Sequence, residues 1–433
     1  MITVVGVGGR ELPARARTRL EEATLLTGPD RLLARLRPLP GRARVVGGPL
    51  RRAVDAHRES GGRLVVLAEG DPGFFGVVAE LRARGLAPEV LPGPSLVTRA
   101  FARAGLSWED ALVVTGDRLD RVANACRAHP KVAVLVSPGV GPAEIARELA
   151  PTTPRALIVC EDLGGPDERV VHSRMGEATT RPWKNPDVVL VLDPLHRGPA
   201  GPVWVAGARP GPAGWARDFD GPGAGPGGGS GGALSPEVRA FVLARLGPRL
   251  GDLVWDIGAG GGEVAVECAL LGAAVIAVES EEEACARLRR NVLAHGVKVA
   301  LARGRAPAAL EPLAAPDAVL LRGADPEVIA ACAAAGPRSL VCALPAAEEA
   351  FTALDVLRGH GRRAEGVEIR SARLVPGSGG ARRLPAAGPV FVVYSDHRDG
   401  DDRDDGDGHR DDGEDRDHGD RGGGRDLGEI TAP

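Results

Sequence analysis

From residue 252 the chain reads Asp-Leu-Val-Trp-Asp-Ile-Gly-Ala-Gly-Gly-Gly-Glu, and after a helical stretch it continues Val-Ile-Ala-Val-Glu to residue 279. A buried strand, a glycine turn, a helix and a second strand ending in a carboxylate form the unit that builds a nucleoside-cofactor site in an α/β sheet. Gly258, Gly260 and Gly262 let the backbone approach a ligand closely, with Ala259 and Gly261 between them. Glu279, 21 residues beyond Gly258 at a strand end, is placed to accept both hydroxyls of a ribose. The dinucleotide fingerprint needs glycine at position 263, where this chain has Glu263, so a pyrophosphate would meet a carboxylate. The spacing therefore favours S-adenosylmethionine (SAM) over NAD. Asp256, just ahead of the turn, has two open roles: holding the turn, or attracting a sulfonium.

The 433 residues are enough for two or three domains, each with its own core. No run of eighteen apolar residues occurs, and the N-terminus enters a strand without a charged-then-apolar leader. A cytoplasmic protein with no membrane partner is the expectation. The six cysteines, Cys126, Cys160, Cys268, Cys285, Cys332 and Cys342, form no Cys-x-x-Cys and have no histidine cluster beside them. They read as small buried apolar groups, and no metal is expected. Residues 396–433 hold thirteen Asp and two Glu against six Arg, a net of −9 that leaves +5 on the rest of the chain. That tail has almost nothing to bury and is expected to be disordered. The slightly basic remainder suits a small anionic ligand. Nucleic acid is not expected, because aromatics are only 3% of the chain and no basic run interleaves with them.

A stretch at 197–232 dominated by Gly, Pro and Ala is expected to be a linker. It divides the chain into 1–196 and 233–395, each opening with a glycine turn after an apolar strand, so two separable domains with a ligand site apiece are expected. In the first, apolar strands at 2–9, 64–68, 132–136, 156–160 and 188–192 alternate with helices such as 76–84 and 142–150. Ala-Glu-Gly-Asp-Pro-Gly-Phe-Phe-Gly at 68–76 follows a strand directly, placing Gly70, Asp71 and Pro72 where open α/β sheets bind ligands. Ser95, in Pro-Gly-Pro-Ser, is open to a helix-capping role, a ligand role, or both. In the second, strands are expected at 253–257, 274–279, 297–302, 317–321 and 339–343, with a final pair at 367–375 and 390–394. Helices at 262–271 and 282–295 fall between, the second with Glu281, Glu282 and Glu283 in its first turn.

The first segment resembles the tetrapyrrole methylase family, of the precorrin C5-methyltransferase type. The resemblance is carried by Val-Val-Gly-Val-Gly-Gly at 4–9, the 68–76 motif, Pro-Gly-Pro-Ser-Leu-Val at 92–97, Ala-Gly-Leu-Ser-Trp-Glu-Asp-Ala at 104–111 and Glu-Asp-Leu-Gly-Gly-Pro-Asp-Glu-Arg-Val at 161–170. The second is similar to the precorrin decarboxylating methyltransferases through Trp-Asp-Ile-Gly-Ala-Gly at 255–260, Ala-Val-Glu at 277–279 and Ala-Pro-Ala-Ala-Leu at 306–310. Together they resemble the fused precorrin-6Y C5,15-methyltransferases (decarboxylating), over nearly everything except linker and tail. Four places depart from that family, the first being the opening turn, where Gly9 and Arg10 take the last two places of the usual Gly-x-Gly-Pro-Gly. Gly304, Arg305 and Ala306 stand where relatives have Gly-Asp-Ala, Arg322, Gly323 and Ala324 where they have Gly-Gly-Ser, and Leu234, Ser235 and Pro236 where they have Ile-Thr-Lys.

The resemblance implies a fold of two α/β subdomains followed by a Rossmann-like domain with a seven-stranded mixed sheet. It also implies two SAM sites, the first drawing on Gly6, Gly8, Gly70, Asp71, Pro72 and Ser95. The second would draw on Ser235, Asp256, Gly258, Ala259, Gly260, Gly261, Gly262, Glu279 and Ala306. The substrate would be an anionic tetrapyrrole, precorrin-6B, methylated at C5 by the first half and at C15 by the second, with loss of the C12 acetate carboxyl. The product would be of the precorrin-8 type in cobalamin biosynthesis, and the enzyme a homo-oligomer. In such enzymes an electron-rich ring carbon would be the nucleophile, so no catalytic protein nucleophile is expected. Arg99, Arg103, Arg118, Arg322 and Arg373 are candidates to pair with substrate carboxylates. Two other readings are an RNA methyltransferase, and a SAM-binding protein whose second half is non-catalytic.

Overall fold

A computed structural model of the chain describes residues 1–9, 12–38, 41–150, 152–196, 198, 206–207, 234–372, 375–376, 382–383 and 388–396. The expected linker, apart from 198, 206 and 207, lies outside them, as does the expected tail beyond Asp396.

The first sheet is built from β1 (Ile2–Val7), β2 (Leu25–Thr27), β3 (Arg44–Val45), β4 (Leu64–Glu69) and β5 (Glu89–Leu91). Helices α1 (Ala14–Glu21), α2 (Asp30–Arg35), α3 (Leu50–Ser60) and α4 (Val77–Ala83) make the crossovers. Every pairing is parallel, in the order β3-β2-β4-β1-β5. Parallel strands covered on both faces read as unbroken apolar runs, and β1 is buried along its whole length. Because β4 and β5 flank β1 in parallel, the loops leaving all three emerge at one carboxyl edge.

Helix α5 (Leu96–Ala104) leads into a second five-stranded sheet of β6 (Leu112–Thr115), β7 (Lys131–Leu135), β8 (Ala156–Glu161), β9 (Arg169–Arg174) and β10 (Pro186–Leu192). Its helices are α6 (Leu119–Ala128), α7 (Pro142–Leu149) and α8 (Met175–Thr180). The order is β6-β7-β10-β8-β9, parallel only between β6 and β7. Two arginines of α2 clasp the two sheets together. Arg31 pairs with Glu69 and with Asp187 at 2.7 Å, and Arg35 with Asp162 at 3.0 Å.

After α9 (Pro236–Leu246), strands β11 (Leu253–Ile257), β12 (Ala274–Glu279), β13 (Ala300–Arg303), β14 (Ala318–Leu321), β15 (Ser339–Leu344) and β16 (Arg363–Ile369) follow. A short pair, β17 (Val375–Pro376) and β18 (Arg382–Arg383), precedes the last strand, β19 (Val390–Asp396). Helices α10 (Glu263–Leu270), α11 (Glu282–Ala294), α12 (Pro326–Ala334) and α13 (Ala347–Gly359) pack between them. The seven strands run β13-β12-β11-β14-β15-β19-β16, with β19 antiparallel to both neighbours, which is the mixed sheet expected. The order reverses between β11 and β14, and the glycine turn leaves β11 at that switch point. Alternate residues of β11 serve opposite cores. Leu253, Trp255 and Ile257 join one cluster and Val254 the other, so Asp256 shares Val254's face, toward α10.

Two strands of this sheet differ most from expectation, and in the first half the strand expected at 2–9 ends at Val7. The third strand of this sheet is Ala300–Arg303, not 297–302, because pairing with β12 begins only at Ile276↔Ala300. The expected strand at 367–375 is Arg363–Ile369, since β19 sets its limits from Arg363↔Asp396 to Ile369↔Val390.

The N-terminal and C-terminal halves touch through α6. Arg121 donates to the Gly251 carbonyl and Asp252, both at 3.0 Å, and meets Asp317 at 2.8 Å, while the buried Asn124 amide donates to the same carbonyl at 3.1 Å. Lys298 adds an ion pair to Asp193 at 2.9 Å. A cavity of about 650 Å³ lies alongside, lined by Arg127, Arg155, Leu288, Val292, Leu293 and Lys298. Arg127 is held by Glu148 at 2.8 Å and Arg155 by the Cys126 carbonyl at 3.0 Å, so these two cations already serve the fold. Arg121→Ala removes three ties at once and leaves Asp317 without this cation. The expected loss is about 1–2 kcal/mol, between exposed and buried ion pairs. In calorimetry, the variant should resolve two unfolding transitions in place of one. An unchanged melting profile would contradict coupling through this contact.

Candidate cofactor and substrate sites

At the first carboxyl edge, the end of β1 and the loops after β4 and β5 are in backbone contact because glycine occupies each. A Cβ on Gly6 would lie 2.3 Å from the Gly70 carbonyl oxygen and 2.5 Å from the Gly93 nitrogen. On Gly93 it would meet the carbonyl oxygens of Gly6 and Gly70, each at 2.8 Å, and on Gly8 it would be 2.7 Å from Pro94 Cδ. No side chain fits there. Pro72 closes on the same point, with its Cδ 2.8 Å from that position on Gly6. Asp71 Oδ1 accepts from the Gly73 amide at 2.9 Å and fixes the turn beyond β4. Phe74 and Phe75 follow, exposed and edge-to-face at 4.6 Å, with Phe75 at φ +48°.

Ser95 caps α5. Its Oγ accepts from the Thr98 amide at 3.0 Å and lies 2.8 Å from Thr98 Oγ1, so the capping role accounts for the hydroxyl. One turn on, Arg99 reaches back over the crevice. Its guanidinium is 3.3 and 3.2 Å from Cβ positions on Gly8 and Gly9, and 2.2 Å from one on Gly164. Its Nε is buried without a partner. The motifs at 4–9, 68–76, 92–97 and 161–170 thus converge, the last arriving from the second sheet. The 104–111 motif serves elsewhere: Gly105, at φ +67°, ends α5, and Trp108 is exposed. Arg103 pairs with Glu168, and Arg118 with Asp120 at 2.6 Å. Arg373 lies outside the described residues.

At the second carboxyl edge the turn after β11 carries positive φ at Gly258 (+71°), Gly260 (+57°) and Gly262 (+80°). A Cβ on Gly262 would be 2.8 Å from Leu288 Cγ, so close packing of α11 excludes it. Glu279 holds the turn from β12: Oε2 accepts from Gly260 at 2.8 Å, and Oε1 from Ser280 at 2.7 Å and Glu281 at 2.9 Å. The expected ribose acceptor is therefore also the strut that presents the glycines. Asn291, not singled out in the sequence, does the same from α11, donating to the Gly261 carbonyl at 2.8 Å. Ser235 caps α9 through the Val238 amide at 3.3 Å and lies 3.4 Å from Ser371 Oγ. Ala306 packs at the edge of the core ahead of a 3₁₀ turn at Ala308–Leu310.

Asp256 is fully buried, with Oδ2 accepting from the Ala265 amide at 3.1 Å and Oδ1 without a partner. It therefore tethers the start of α10 to the end of β11, the turn-holding role. Arg322, from the end of β14, lies 3.8 Å from Asp256 Oδ2 and 3.4 Å from Glu263 Oε2. Burial pushes the Asp256 carboxyl up to about 6, and Arg322 only partly opposes it.

Among the described residues no group of His, Cys, Asp or Glu is placed to hold a metal ion, and no helix is long and apolar enough to cross a membrane. All six cysteines are buried and free, and burial pushes the Cys126, Cys160 and Cys332 thiols up to about 12.

Residues 1–179 match the family of Tetrapyrrole (Corrin/Porphyrin) Methylases, and residues 230–383 match the precorrin methyltransferase domain family. The precorrin-6Y C(5,15)-methyltransferase (decarboxylating) of Sinorhizobium sp is 33% identical over 346 residues, covering 75% of this chain and 79% of that protein. The cobalt-precorrin-7 C(5)-methyltransferase of Salmonella typhimurium is 34% identical over 184 residues, 39% of this chain and 89% of the relative. A probable cobalt-precorrin-6B C(15)-methyltransferase (decarboxylating) of Pyrobaculum calidifontis is 33% identical over 171 residues, 36% and 85%. Fold and families together define a SAM-dependent C-methyltransferase with an N-terminal tetrapyrrole methylase fold. The chain belongs to the precorrin-6Y C5,15-methyltransferase (decarboxylating) family.

The state of Asp256 gives a pH dependence. Its folded pKa stands above the unfolded value, so the folded state binds the extra proton, and stability is lost as pH rises from about 4 to 6. Asp256→Asn should remove that slope, on the order of 2 kcal/mol across the window. Melting curves at pH 4.5 and 7 check this. An identical pH profile in both proteins would contradict a buried, proton-binding Asp256.

Proposed function

We propose that this chain methylates a precorrin at C5 and C15 and removes the carboxyl of its C12 acetate, giving a precorrin-8 type product in cobalamin biosynthesis. The observation that carries the reading is the presence of two separate glycine crevices on one chain, each at the carboxyl edge of parallel strands. The matches to the two single-activity relatives, over 184 and 171 residues, each about the size of one half, support one reaction set per half. In this reading residues 1–196 methylate C5, and residues 233–395 methylate C15 and decarboxylate.

SAM, one molecule per crevice, supplies an electrophilic methyl group. In the first crevice Gly6, Gly8, Gly70, Asp71, Pro72 and the Ser95 loop shape its seat. In the second, Gly258, Ala259, Gly260, Gly261 and Gly262 form the floor, Glu279 accepts from the ribose, and Asp256 sets the turn, with Ser235 and Ala306 at the edges. The nucleophile is a ring carbon of the macrocycle, so the residues contribute alignment and exclusion of water. Electrons left by loss of carbon dioxide pass into the conjugated ring, and no metal is called for. Arg99 and Arg322 are the cations best placed for substrate or cofactor carboxylates, because both line a glycine turn. Arg103 and Arg118 already pair with carboxylates and take a lesser part, with Arg373 a further candidate. The exposed Phe74–Phe75 pair offers the macrocycle an apolar rim.

Product masses from two variants test the division. Gly260→Leu puts a bulky side chain at φ +57°, strained and directed at the second seat. It should yield a product with one added methyl and the carboxyl retained. Asp71→Ala should lose C5 methylation while keeping C15 methylation and carbon dioxide release. If folded Gly260→Leu still decarboxylates at the wild-type rate, or each variant loses both methylations, one reaction set per half is wrong.

A further inference from the structure

Arg322 is buried in a way that its partners in the fold do not explain. Its backbone amide donates to the Ile257 carbonyl at 3.0 Å, pinning the residue beside the glycine turn, and its side chain is only 10% exposed. Five donors of a guanidinium enter the protein there. The contacts they make are long: Nη1 and Nη2 each lie 3.4 Å from the same Glu263 oxygen, and Nη2 lies 3.8 Å from Asp256 Oδ2. A charge-assisted pair of this kind closes to about 2.7–2.9 Å when it is made in full. Asp256 Oδ2 already accepts from Ala265, and Arg322 Nε is buried with no partner at all. A charge taken from water without saturating its donors is a cost that needs a compensating role.

The position supplies that role. Nη1 is 3.5 Å from the Cβ position on Gly260, so the guanidinium lines the space kept clear at Gly260, while Gly258 faces the Arg322 main chain, its carbonyl oxygen 3.1 Å away. The glycine turn, Glu279 and the end of β14 meet around it at the sheet's switch point. We propose that Arg322 is a carboxylate receptor of the second site, closing two parallel hydrogen bonds on a carboxylate brought in over Gly260. This rests on the reading of that turn as a SAM seat. Two carboxylates have this chemistry: the methionyl end of SAM, and the acetate that the reaction removes. Glu263 and Asp256 then act as placeholders that keep the cation aimed while no ligand carboxylate is present. Planarity matters, since a lysine ammonium cannot make the two-pronged contact.

The test uses the full chain with Arg322→Gln and Arg322→Lys. Calorimetric titration with SAM and with decarboxylated SAM is set beside KM and kcat for carbon dioxide release from the precorrin. If the methionyl carboxylate is the ligand, Arg322→Gln weakens SAM at one of two sites at least tenfold and leaves decarboxylated SAM unchanged. If the substrate acetate is the ligand, SAM binding is unchanged at both sites, while KM for carbon dioxide release rises at least tenfold. In both cases Arg322→Lys recovers only part of the loss. The proposal is overturned if folded Arg322→Gln keeps SAM affinity, KM and kcat within twofold of wild type, since Arg322 then only neutralises Glu263 and Asp256. Should Arg322→Gln fail to fold, the double variant Arg322→Gln/Glu263→Gln removes the orphaned carboxylate and takes the same measurements, where a tenfold loss again supports the receptor and values within twofold of wild type overturn it. Wild-type uptake of a single equivalent of SAM would count against the two-site reading itself, and is distinguishable because it appears before any substitution.

Discussion

A glycine turn at the carboxyl edge of parallel strands, where no other residue type can stand, is the constraint on which both halves depend. In the first half, Gly6, Gly70 and Gly93 bring three loops so close that a single methyl at Gly6 would sit 2.3 Å from a carbonyl oxygen. In the second half the limit is set differently. Positive φ at Gly258, Gly260 and Gly262 turns the chain back over α10, and only Gly262 is excluded by a neighbouring side chain, Leu288. The two crevices thus use the same residue for unlike reasons, one for close approach and one for a left-handed turn. Both place a glycine turn at the carboxyl edge of parallel strands, which is where a sheet of this kind presents a ligand.

Charge placement around the second turn follows from strand periodicity. Because β11 alternates between two cores, Asp256 is forced onto the face toward α10, fully buried, where its carboxylate is useful only to the Ala265 amide and to a cation. Glu263 opens α10 beside it, Glu279 arrives from β12, and Arg322 comes from β14 to meet them. Three acids and one arginine converge on a single turn. Such a balance suits a cofactor that carries both a sulfonium and a carboxylate.

The architecture was legible wherever an apolar run was long and its punctuation sharp. Leu253–Ile257, buried throughout between Asp252 and Gly258, and Ala274–Glu279, buried except for a half-buried Ile276, stand where the sequence puts them. Short strands were not legible: β3 has two residues and β5 three, too few to show any period. β16 was displaced from 367–375 because its residues, Arg-Ala-Glu-Gly-Val-Glu-Ile, carry little apolar signal and owe their conformation to β19. At the sites, glycines and acids were visible from spacing, whereas Asn291 was not, because nothing in a helix sequence shows that an amide reaches a carbonyl 30 residues earlier. The contact of Arg121 with Asp252 and Asp317 was equally hidden, and the expectation of separable domains took no account of it.

On the proposed reading, one chain holds two methyl-transfer sites that act on one macrocycle. The most direct measurement is incubation of the whole protein with SAM and the precorrin, followed by mass analysis of the tetrapyrrole. Two working sites predict a product with two more methyl groups and one carbon dioxide fewer than the substrate. A folded, SAM-consuming protein whose product gains one methyl only, or keeps its full set of carboxyls, would contradict it.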